Sequence, residues 1–305
     1  MSKIDTAIKQ LKSNRGEFMA SIVTNFFRWL PDATYLKLLY RFKMGRRLDL
    51  KDPKTFTEKL QWLKLYNRKP EYTTMVDKYA VKEYVANIIG EKYIIPTLDV
   101  WEKLEDIDWE SLPQQFVLKT THGGGGGGVV ICKDKATFDK ENAIAKLNQS
   151  LNSDIYSALR EWPYKNVPKR IIAEQFMTPE KSLGSQDLSD YKFFCFNGKV
   201  RFFKVDFGRF IEHHANYYSP EGELLELGEK TLEPVPDYPI ELPNNLNEMI
   251  LLAEKLSENE PFLRVDFYNL KGMIYFGELT FYPAGGMGKW TTDEADRTIG
   301  EYLRI

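Results

Sequence analysis

The first quarter of the chain spaces its apolar residues as α-helices do. Four of them follow the Asp52-Pro53 pair at intervals of three or four positions: Phe56, Leu60, Leu63 and Tyr66. Residues at this spacing share one face of a helix. Thr55 and Glu58 have the spacing of a capping box, which starts a helix. The pattern predicts that residues 1–75 are mostly helical.

Shorter elements follow up to about residue 172. Apolar residues at helical spacing predict a helix from Met75 to Ile89, and Gly90 supplies its stop signal. Short apolar runs between polar residues are typical of strands. The predicted strands are residues 93–95, 116–118 and 129–132. A further helix is predicted within residues 136–161.

The second half of the chain has the patterning of antiparallel sheets. Asn197-Gly198 joins two apolar runs, which is a strong short-range hairpin signal. Four prolines in residues 234–243 predict an extended surface loop. The predicted strands are residues 170–174, 191–196, 200–205, 262–268 and 273–279, with a helix near 245–257. Because the strands do not alternate regularly with helices, the pattern predicts an α+β fold.

A run of glycines separates two of the predicted strands. An apolar strand leads into Lys119, six glycines fill positions 123–128, and a second apolar strand begins at Val129. Glycines lack side chains, so such a loop can bring its backbone N–H groups against an anion. Lys119 adds a point charge that suits a phosphate. A flexible linker is the alternative, but the strands flank the run closely, and we predict a flap that covers phosphate.

The last predicted hairpin carries acidic residues on one face. Arg264 and Asp266 lie two positions apart on one strand and therefore share a face. A three-residue loop at 270–272 would place Asp266 opposite Phe276, with Glu278 one pleat further along the same face. Two converging carboxylates suit Mg²⁺. In the alternative interpretation the two carboxylates are exposed on the sheet and one of them pairs with Arg264.

Composition is that of a soluble globular protein. Hydrophobic residues make up 43% of the 305 residues and charged residues make up 28%, which is ordinary for that class. No apolar run approaches the roughly 20 residues of a transmembrane helix, and no signal peptide is recognisable. Cys132 and Cys195 lack CxxC spacing and predict buried free thiols in a reducing compartment. We therefore expect a cytoplasmic protein.

Positive charge is concentrated near the N-terminus. Residues 1–51 contain eleven Lys or Arg residues against four Asp or Glu residues, a net charge of +7. This segment could dock on anionic lipid at the inner face of a membrane or on an acidic partner. Alternatively, it is a helical subdomain that packs on the body and turns its basic face to water. No basic patch is interleaved with aromatic residues, so we expect no nucleic-acid partner.

Several of these features, taken in chain order, resemble the ATP-grasp fold. They are Lys78, Lys119 before the glycine flap, Glu174 at the end of an apolar strand, and Arg264-x-Asp266 followed by Glu278. The closer resemblance is to the TupA-like ATP-grasp family of surface-polysaccharide and teichuronopeptide biosynthesis. It covers roughly residues 30–300 and is carried by residues 53–66, Asp77-Lys78-Tyr79 and residues 277–283.

The resemblance implies an ATP-grasp fold in which two α+β subdomains grip ATP, preceded by a helical N-terminal segment. The helical segment would cover residues 1–75. The first subdomain, with the flap, would cover residues 76–172. The second, with the adenine hinge and the metal site, would cover residues 173–305.

The resemblance also implies a set of site residues. The metal ligands would be Asp266, Glu278 and Thr280. The catalytic residues would be Arg264, Lys119 and His122, although His122 could equally be a polar residue flanking the loop. ATP would be bound by Lys78, Lys119, Gly124, Gly125, Gly126, Gly127, Glu174, Gln175, Met177, Glu180 and Lys192.

Within this set, the hinge would bind adenine. Glu174 would lie near the exocyclic amine, and backbone groups of Gln175 and Met177 would supply the other adenine contacts. Lys192 resembles a third phosphate-binding cation, after Lys78 and Lys119.

Two positions leave alternatives open. Thr280 stands where the general ATP-grasp pattern usually has Asn, and a hydroxyl is a poorer metal ligand than an amide oxygen, so either one or two Mg²⁺ ions fit the pattern. The ribose contact falls on Glu180, but Lys181 lies equally near the expected offset.

The reaction implied by the resemblance is amide formation. Such enzymes phosphorylate a carboxylate and then let an amine displace the phosphate. Arg264 would face the charge that develops on the transferring group, and the closed flap would keep water from the acyl phosphate. Residues 283–289 could form a backbone nest for the acceptor carboxylate or a simple turn.

The implied function is an ATP-dependent carboxylate-amine ligase that modifies a carboxylated sugar in bacterial surface-polysaccharide biosynthesis. Its partners would be a small-molecule or glycan carboxylate and an amine. The alternatives are an ATP-grasp kinase acting on a sugar or polysaccharide precursor, and a non-catalytic member of a polysaccharide assembly complex. The basic segment would then contact the membrane or polysaccharide-synthesis enzymes.

Overall fold

A computed structural model of the protein describes residues 15–124, 126–177, 190–208 and 212–305. Within these ranges the chain combines helices with antiparallel sheets, and the predicted α+β class is confirmed. The helices are α1 (Arg15–Phe26), α2 (Asp32–Met44), α3 (Phe56–Tyr66), α4 (Glu71–Val76), α5 (Ala80–Ile89), α6 (Lys140–Leu151), α7 (Ile155–Leu159), α8 (Leu246–Ser257) and α9 (Asp293–Tyr302). The strands are β1 (Thr97–Trp101), β2 (Phe116–Thr120), β3 (Val129–Cys132), β4 (Ile171–Gln175), β5 (Asp190–Phe196), β6 (Lys199–Phe207), β7 (His214–Tyr218), β8 (Phe262–Leu270) and β9 (Met273–Thr280).

The strands form two sheets in which neighbouring strands run antiparallel. The first sheet has the order β1-β4-β2-β3, and the second has the order β7-β6-β5-β8-β9. Because β4 belongs to the first sheet, the boundary predicted between residues 172 and 173 falls inside a strand. The division of the chain into three parts stays a prediction.

Each sheet has its own hydrophobic core. Phe116 on β2 and Leu147 on α6 belong to the core of the first sheet. Phe193 on β5 belongs to the core of the second sheet, and Phe56 on α3 is buried in that same core. A third core joins α1 and α2 around Tyr35. Helix α3 therefore packs against the second sheet, while its Leu65 contacts the core of the two preceding helices.

The capping box predicted at the start of α3 is confirmed. The side-chain oxygen of Thr55 accepts a hydrogen bond from the backbone N–H of Glu58 at 3.3 Å, and the Glu58 carboxylate accepts one from the backbone N–H of Thr55 at 3.1 Å. These two bonds satisfy donors that the first helical turn leaves unpaired.

The helix predicted from Met75 to Ile89 is interrupted. Helix α4 ends at Val76, and α5 begins at Ala80 and ends before Gly90, as predicted. The side chain of Asp77 causes the break, because it accepts hydrogen bonds from the backbone N–H groups of Tyr79 at 2.9 Å and Ala80 at 3.3 Å. The break leaves Lys78 in a short non-helical segment between the two helices.

The strand predicted at residues 93–95 is wrong. Residues Glu91–Tyr93 form a short 3₁₀ turn, and the strand begins later, at Thr97. Tyr93 is buried in the turn and Ile95 is buried in the segment that follows it, so their burial does not come from alternation along a strand. The Tyr93 hydroxyl donates to a carboxylate oxygen of Glu248 at 2.6 Å, which fastens the turn to α8.

The predicted first hairpin turn, the proline-rich loop and the free cysteines agree with the structure. Asn197 and Gly198 have φ angles of 49° and 75° and join β5 to β6, as a two-residue hairpin turn requires. Residues 234–243 contain neither helix nor strand. Cys132 and Cys195 are buried free thiols.

The N-terminal helices pack on the body of the protein. The Tyr35 hydroxyl donates to the carbonyl oxygen of Ala158 at 2.7 Å, and the Arg160 guanidinium lies 4.1 Å from the centre of the Tyr35 ring. Phe26 and Trp29 stay exposed at the end of α1. In the described ranges, no helix is both long and apolar enough to cross a membrane. This packing agrees with the second interpretation of the basic segment, while docking to a membrane or partner stays a prediction.

Helix α9 is joined to the start of α3 by one buried carboxylate. Asp296 accepts hydrogen bonds from the backbone N–H of Thr57 at 2.9 Å and from the Thr57 hydroxyl at 2.6 Å. The Arg46 guanidinium pairs with the same carboxylate. Residues far apart in the sequence thus complete the first turn of α3.

Candidate functional site

The final hairpin has a two-residue turn. Leu270 pairs with Met273, so that only Lys271-Gly272 forms the turn, with φ angles of 54° and 80°. Left-handed conformations at both positions are typical of the tightest hairpin turns. The predicted three-residue loop is therefore wrong, and so is the predicted pairing of Asp266 with Phe276.

A β-bulge nevertheless places Asp266 and Glu278 on the same face of the sheet, as was predicted from the three-residue loop. Phe267 pairs with Phe276, whereas Asp266 pairs with Glu278, so that Gly277 is the extra residue. A Cβ at Gly277 would lie 3.0 Å from the carbonyl oxygen of Asp266, a close approach that favours glycine. Asp266 and Glu278 therefore stand directly opposite each other on one face of the sheet.

Arg264 connects the acidic residues of this face. Its Nε donates to Asp266 Oδ1 at 2.7 Å, and its Nη2 lies 2.7 Å from Asp266 Oδ2 and 2.9 Å from Glu278 Oε1. The same nitrogen lies 3.0 Å from the hydroxyl of Thr280. Burial raises the pKa of Glu278, but the charges of Lys78 and Arg264 outweigh burial and hold that pKa at about 2. Glu278 is consequently ionised at neutral pH.

Lys78 joins the glycine flap to the acidic hairpin. Its ammonium donates to the carbonyl oxygen of Gly123 at 2.5 Å and lies 3.9 Å from Glu278. Its backbone N–H donates to the carbonyl oxygen of Thr121 at 3.0 Å. The helix break at Asp77 places Lys78 here, so the flap and the hairpin are two walls of one cleft.

Glu174 is buried between two lysines. Its carboxylate lies 2.5 Å from the ammonium of Lys119 and 2.6 Å from that of Lys82. Burial raises the pKa of Glu174, but the two lysines outweigh burial and lower it below its usual range. In this structure the Glu174 carboxylate is thus occupied by lysines, whereas the prediction placed it at an adenine amine. Lys82 was missed, although it lies only four positions after Lys78.

The backbone of the predicted hinge is partly engaged within the protein. The N–H of Gln175 donates to the carbonyl oxygen of Pro96 at 3.0 Å, and the adenine contacts expected of the backbone of Gln175 and Met177 stay predictions. Met177 lies two residues beyond the end of β4, in irregular backbone, and is half-buried. Gly125 and Glu180, also predicted to contact ATP, lie outside the described residues.

The flap has a packed base and an open tip. A Cβ at Gly128 would lie 2.2 Å from the hydroxyl oxygen of Thr120 and 2.3 Å from that of Ser150. At the tip, Gly127 has no atom within 4 Å of the position of an added Cβ, and Gly124 is nearly as open. Gly126 adopts a φ of 74°. The glycines at the base therefore allow close packing, whereas those at the tip leave backbone accessible.

His122 is buried beneath the flap. Its Nε2 lies 3.1 Å from the carbonyl oxygen of Ser150, and 4% of the residue is exposed. Burial, together with the charge of Lys169, lowers the pKa of the ring. A buried neutral ring bonded to the end of α6 supports the flap, and the structure gives His122 no contact with the acidic hairpin.

Lys192 lies among carboxylates in the middle of the second sheet. Its ammonium is 2.5 Å from Asp190, 2.8 Å from Asp266 and 3.9 Å from Asp206. Lys192 on β5 pairs directly with Asp266 on β8. The ammonium of Lys192, which was predicted to bind phosphate, is therefore already paired with carboxylates of the protein.

A cavity of about 110 Å³ adjoins Arg264. Residues that line it include Phe194, Lys204, Glu229, Arg264, Ala284 and Trp290. The ammonium of Lys204 lies 3.3 Å from the Glu229 carboxylate, which also accepts a hydrogen bond from Tyr217 at 2.6 Å. Of these walls, only residues 283–289 were predicted at an acceptor site, because the other walls come from separate strands and loops.

The turn at Pro283–Gly286 forms another wall of the cavity. Ala284, Gly285 and Gly286 all have positive φ angles. The buried ammonium of Lys64 donates to the carbonyl oxygen of Gly285 at 2.6 Å, and the Gln61 amide donates to that of Gly286 at 2.7 Å. Two polar side chains of α3 thus hold the carbonyl groups of the turn.

The structure combines two antiparallel sheets, a glycine flap and a hairpin that carries Arg264, Asp266 and Glu278. Together these features define an ATP-grasp protein. A family model described as TupA-like ATPgrasp matches residues 58–304, which is more than half of the chain. The chain therefore belongs to the TupA-like ATP-grasp family.

Solved structures provide more distant similarities. D-alanine–D-alanine ligase from Helicobacter pylori is 16% identical, with a TM-score of 0.41 over 82% of this chain and 69% of that one. The Bacillus anthracis D-alanine–D-alanine ligase is 17% identical, with a TM-score of 0.39 over 68% of this chain and 57% of that one. The ADP complex of PurK, an N5-carboxyaminoimidazole ribonucleotide synthetase, is 15% identical, with a TM-score of 0.44 over 73% of this chain and 50% of that one. The chain thus spans less than two thirds of the last two proteins. Comparison with curated proteins finds no match.

Proposed function

We propose that the protein is an ATP-dependent carboxylate-amine ligase that forms an amide through an acyl phosphate. The observation that carries the proposal is the position of Lys78, which contacts the flap at Gly123 and the acidic hairpin at Glu278. A nucleotide held under the flap would have its terminal phosphate directed at Arg264 and the two carboxylates. That arrangement would bring a phosphoryl group to the edge of the cavity beside Arg264.

The residues of the cleft fit ATP and Mg²⁺. Lys78 and Lys119 are cations next to a flap whose tip is open, and such a tip can approach phosphate with its backbone N–H groups. Glu278 is ionised and directly opposite Asp266, so the pair offers the oxygen ligands that Mg²⁺ prefers. When bound, Mg²⁺ would neutralise phosphate charge during transfer.

The chemistry requires positioning and charge more than a covalent role for the protein. The substrate carboxylate would attack the γ-phosphorus, the bond to ADP would break, and an acyl phosphate would form. The amine nitrogen would then attack the acyl carbon, and phosphate would leave with the amine proton. Arg264, held in place by Asp266, would face the charge that develops at each step.

The cavity beside Arg264 is our proposed acceptor site. It combines the aromatic walls Phe194 and Trp290 with the charged groups of Lys204 and Glu229. An aromatic wall suits the apolar face of a sugar ring, and Lys204 suits its carboxylate. These features support a carboxylated sugar of surface-polysaccharide biosynthesis as the acceptor. Because ATP is consumed, we place the protein in the cytoplasm.

The first test is calorimetric titration of ATP with and without Mg²⁺. We expect Mg²⁺-dependent binding that is lost in Lys119→Ala and kept in Lys146→Ala, because Lys146 is an exposed lysine on α6 outside the site. Uronic acids and amines would then be screened for release of ADP and phosphate. Failure of the well-folded wild-type protein to bind ATP would contradict the proposal. Release of ADP without phosphate would instead identify a kinase.

A further inference from the structure

The carboxylate of Asp266 is already coordinated by two protein cations. It accepts two bonds from Arg264, at 2.7 Å on each oxygen, and one from the ammonium of Lys192 at 2.8 Å. A carboxylate offers about four lone-pair positions. Asp266 consequently has room for one more ligand.

The neighbouring oxygens limit the site in the same way. Glu278 Oε1 accepts bonds from Arg264 at 2.9 Å and from the Thr280 hydroxyl at 3.3 Å, whereas Oε2 lies near Lys78. The Thr280 oxygen itself lies 3.0 Å from Arg264 Nη2. One oxygen of Glu278 and one position on Asp266 are thus the parts of the hairpin that stay available to a metal ion.

Lys192 is built into the sheet. It is 7% exposed, and the carboxylates around it are at least as buried: Asp190 is 3% exposed, Asp206 is 5% exposed and Asp266 is 1% exposed. A lysine is rarely buried unless it is paired. Strand pairing sets its position, because Lys192 lies directly opposite Asp266 on one side and Lys204 on the other.

We infer that the Lys192 ammonium is a fixed cation at Asp266 that takes the place of a second metal ion, so that the hairpin binds a single divalent cation with each nucleotide. This inference rests on the proposed binding of ATP and Mg²⁺. Lys192 is a positioning residue: together with Arg264 it fills Oδ2 of Asp266, and one position on Oδ1 stays open for the metal. A second cation could bind Asp266 only by displacing the ammonium.

The test counts bound metal ions directly. Mn²⁺ would replace Mg²⁺, a non-hydrolysable ATP analogue would saturate the full-length protein, and the electron paramagnetic resonance signal of free Mn²⁺ would give the number bound. We expect one Mn²⁺ per bound nucleotide in the wild type. We expect two in Lys192→Met, where the aliphatic stem is retained and the charge is removed. Lys192→Arg and the exposed-site control Lys146→Met should each bind one.

Other outcomes separate this inference from the proposed function. Two Mn²⁺ ions bound by the wild type would overturn the inference. One ion with weakened nucleotide binding in Lys192→Met would also overturn it, because that result would show that Lys192 simply contacts phosphate. No binding of the analogue by folded wild-type protein would overturn the proposed function and the inference with it. If Lys192→Met fails to fold, the number of Mn²⁺ ions bound by the wild type decides. The double variant Lys192→Met, Asp190→Asn can then be tested as well, because it removes the excess buried negative charge.

Discussion

The ammonium of Lys78 lies 3.9 Å from the carboxylate of Glu278 and donates to the carbonyl oxygen of Gly123 at 2.5 Å. One side chain therefore connects the flap between β2 and β3 to the hairpin that β8 and β9 form. Because the hydrogen bond to Gly123 involves a charged donor, it also restrains the base of the flap. Lys78 is the residue through which a nucleotide would affect both walls of the cleft.

We expect Lys78→Met to lower ATP affinity about 10- to 100-fold, since hydrogen bonds to charged groups contribute about 1.5–3 kcal/mol. Calorimetry would measure the affinity, and amide hydrogen exchange at residues 121–124 would report on the flap. Exchange should speed up in the variant without nucleotide. Lys146→Met is the matched control. Unchanged affinity would remove Lys78 from the nucleotide site.

The two ends of the flap should respond differently to an added methyl group. Gly127→Ala meets nothing within 4 Å in the free protein, so its melting temperature should not change, whereas ATP affinity should fall about tenfold if backbone there contacts phosphate. Gly128→Ala would press on Thr120 and Ser150 and should cost about 1–3 kcal/mol of unfolding free energy. Thermal denaturation and ATP titration of both variants make the comparison. Normal ATP binding by Gly127→Ala would mean that the tip does not cover phosphate.

Glu161 should make stability depend on pH. Burial raises its pKa from 4.5 to about 7, although Lys64 opposes the shift. A raised pKa means that the folded state holds a proton that the unfolded state releases, so the contribution of Glu161 to stability is fully present below pH 4.5 and is lost as pH rises through about 7. The loss should be about 3 kcal/mol, since each pKa unit corresponds to about 1.4 kcal/mol.

The measurement for Glu161 is urea unfolding at pH 5 and pH 7 for the wild type and Glu161→Gln. The glutamine variant cannot titrate, so its free energy of unfolding should change less between the two pH values. An equal change in both proteins would show that other groups cause the pH dependence.

Asp296→Ala should destabilise the protein strongly. It leaves the half-buried guanidinium of Arg46 and the buried start of α3 without their shared acceptor, and leaving a buried donor without its acceptor typically costs about 1–3 kcal/mol. Asp293 on the same helix also pairs with Arg46, at 3.5 Å, but its side chain is 96% exposed. Asp293→Ala should therefore cost less than about 1 kcal/mol. Urea unfolding of the two variants tests the difference, and similar losses would contradict the assigned role of Asp296.

Local signals in the sequence predicted the elements that depend on neighbouring residues. The Thr55–Glu58 capping box and the Asn197-Gly198 turn each involve residues within a few positions of one another, and both are present. The interrupted helix at Asp77 was missed because a capping side chain competes there with apolar periodicity, which continues on both sides of the break.

The geometry of the site depends on contacts that no local pattern reveals. Asp266 and Glu278 share a face because the bulge at Gly277 compensates for a turn one residue shorter than predicted. The lysines around Glu174 come from α5 and β2, and the carboxylates around Lys192 come from three strands of one sheet. Residue types could therefore be predicted from the sequence, whereas their pairings required the fold.

The link between Thr57 and Asp296 has a consequence for synthesis of the chain. The two residues are 239 positions apart, and chains are made at roughly 5–20 residues per second. The first turn of α3 therefore waits roughly 12–48 s on the ribosome before its acceptor exists. During that interval Phe56 and its neighbours lack a complete core, and a nascent chain with exposed apolar surface needs protection by chaperones.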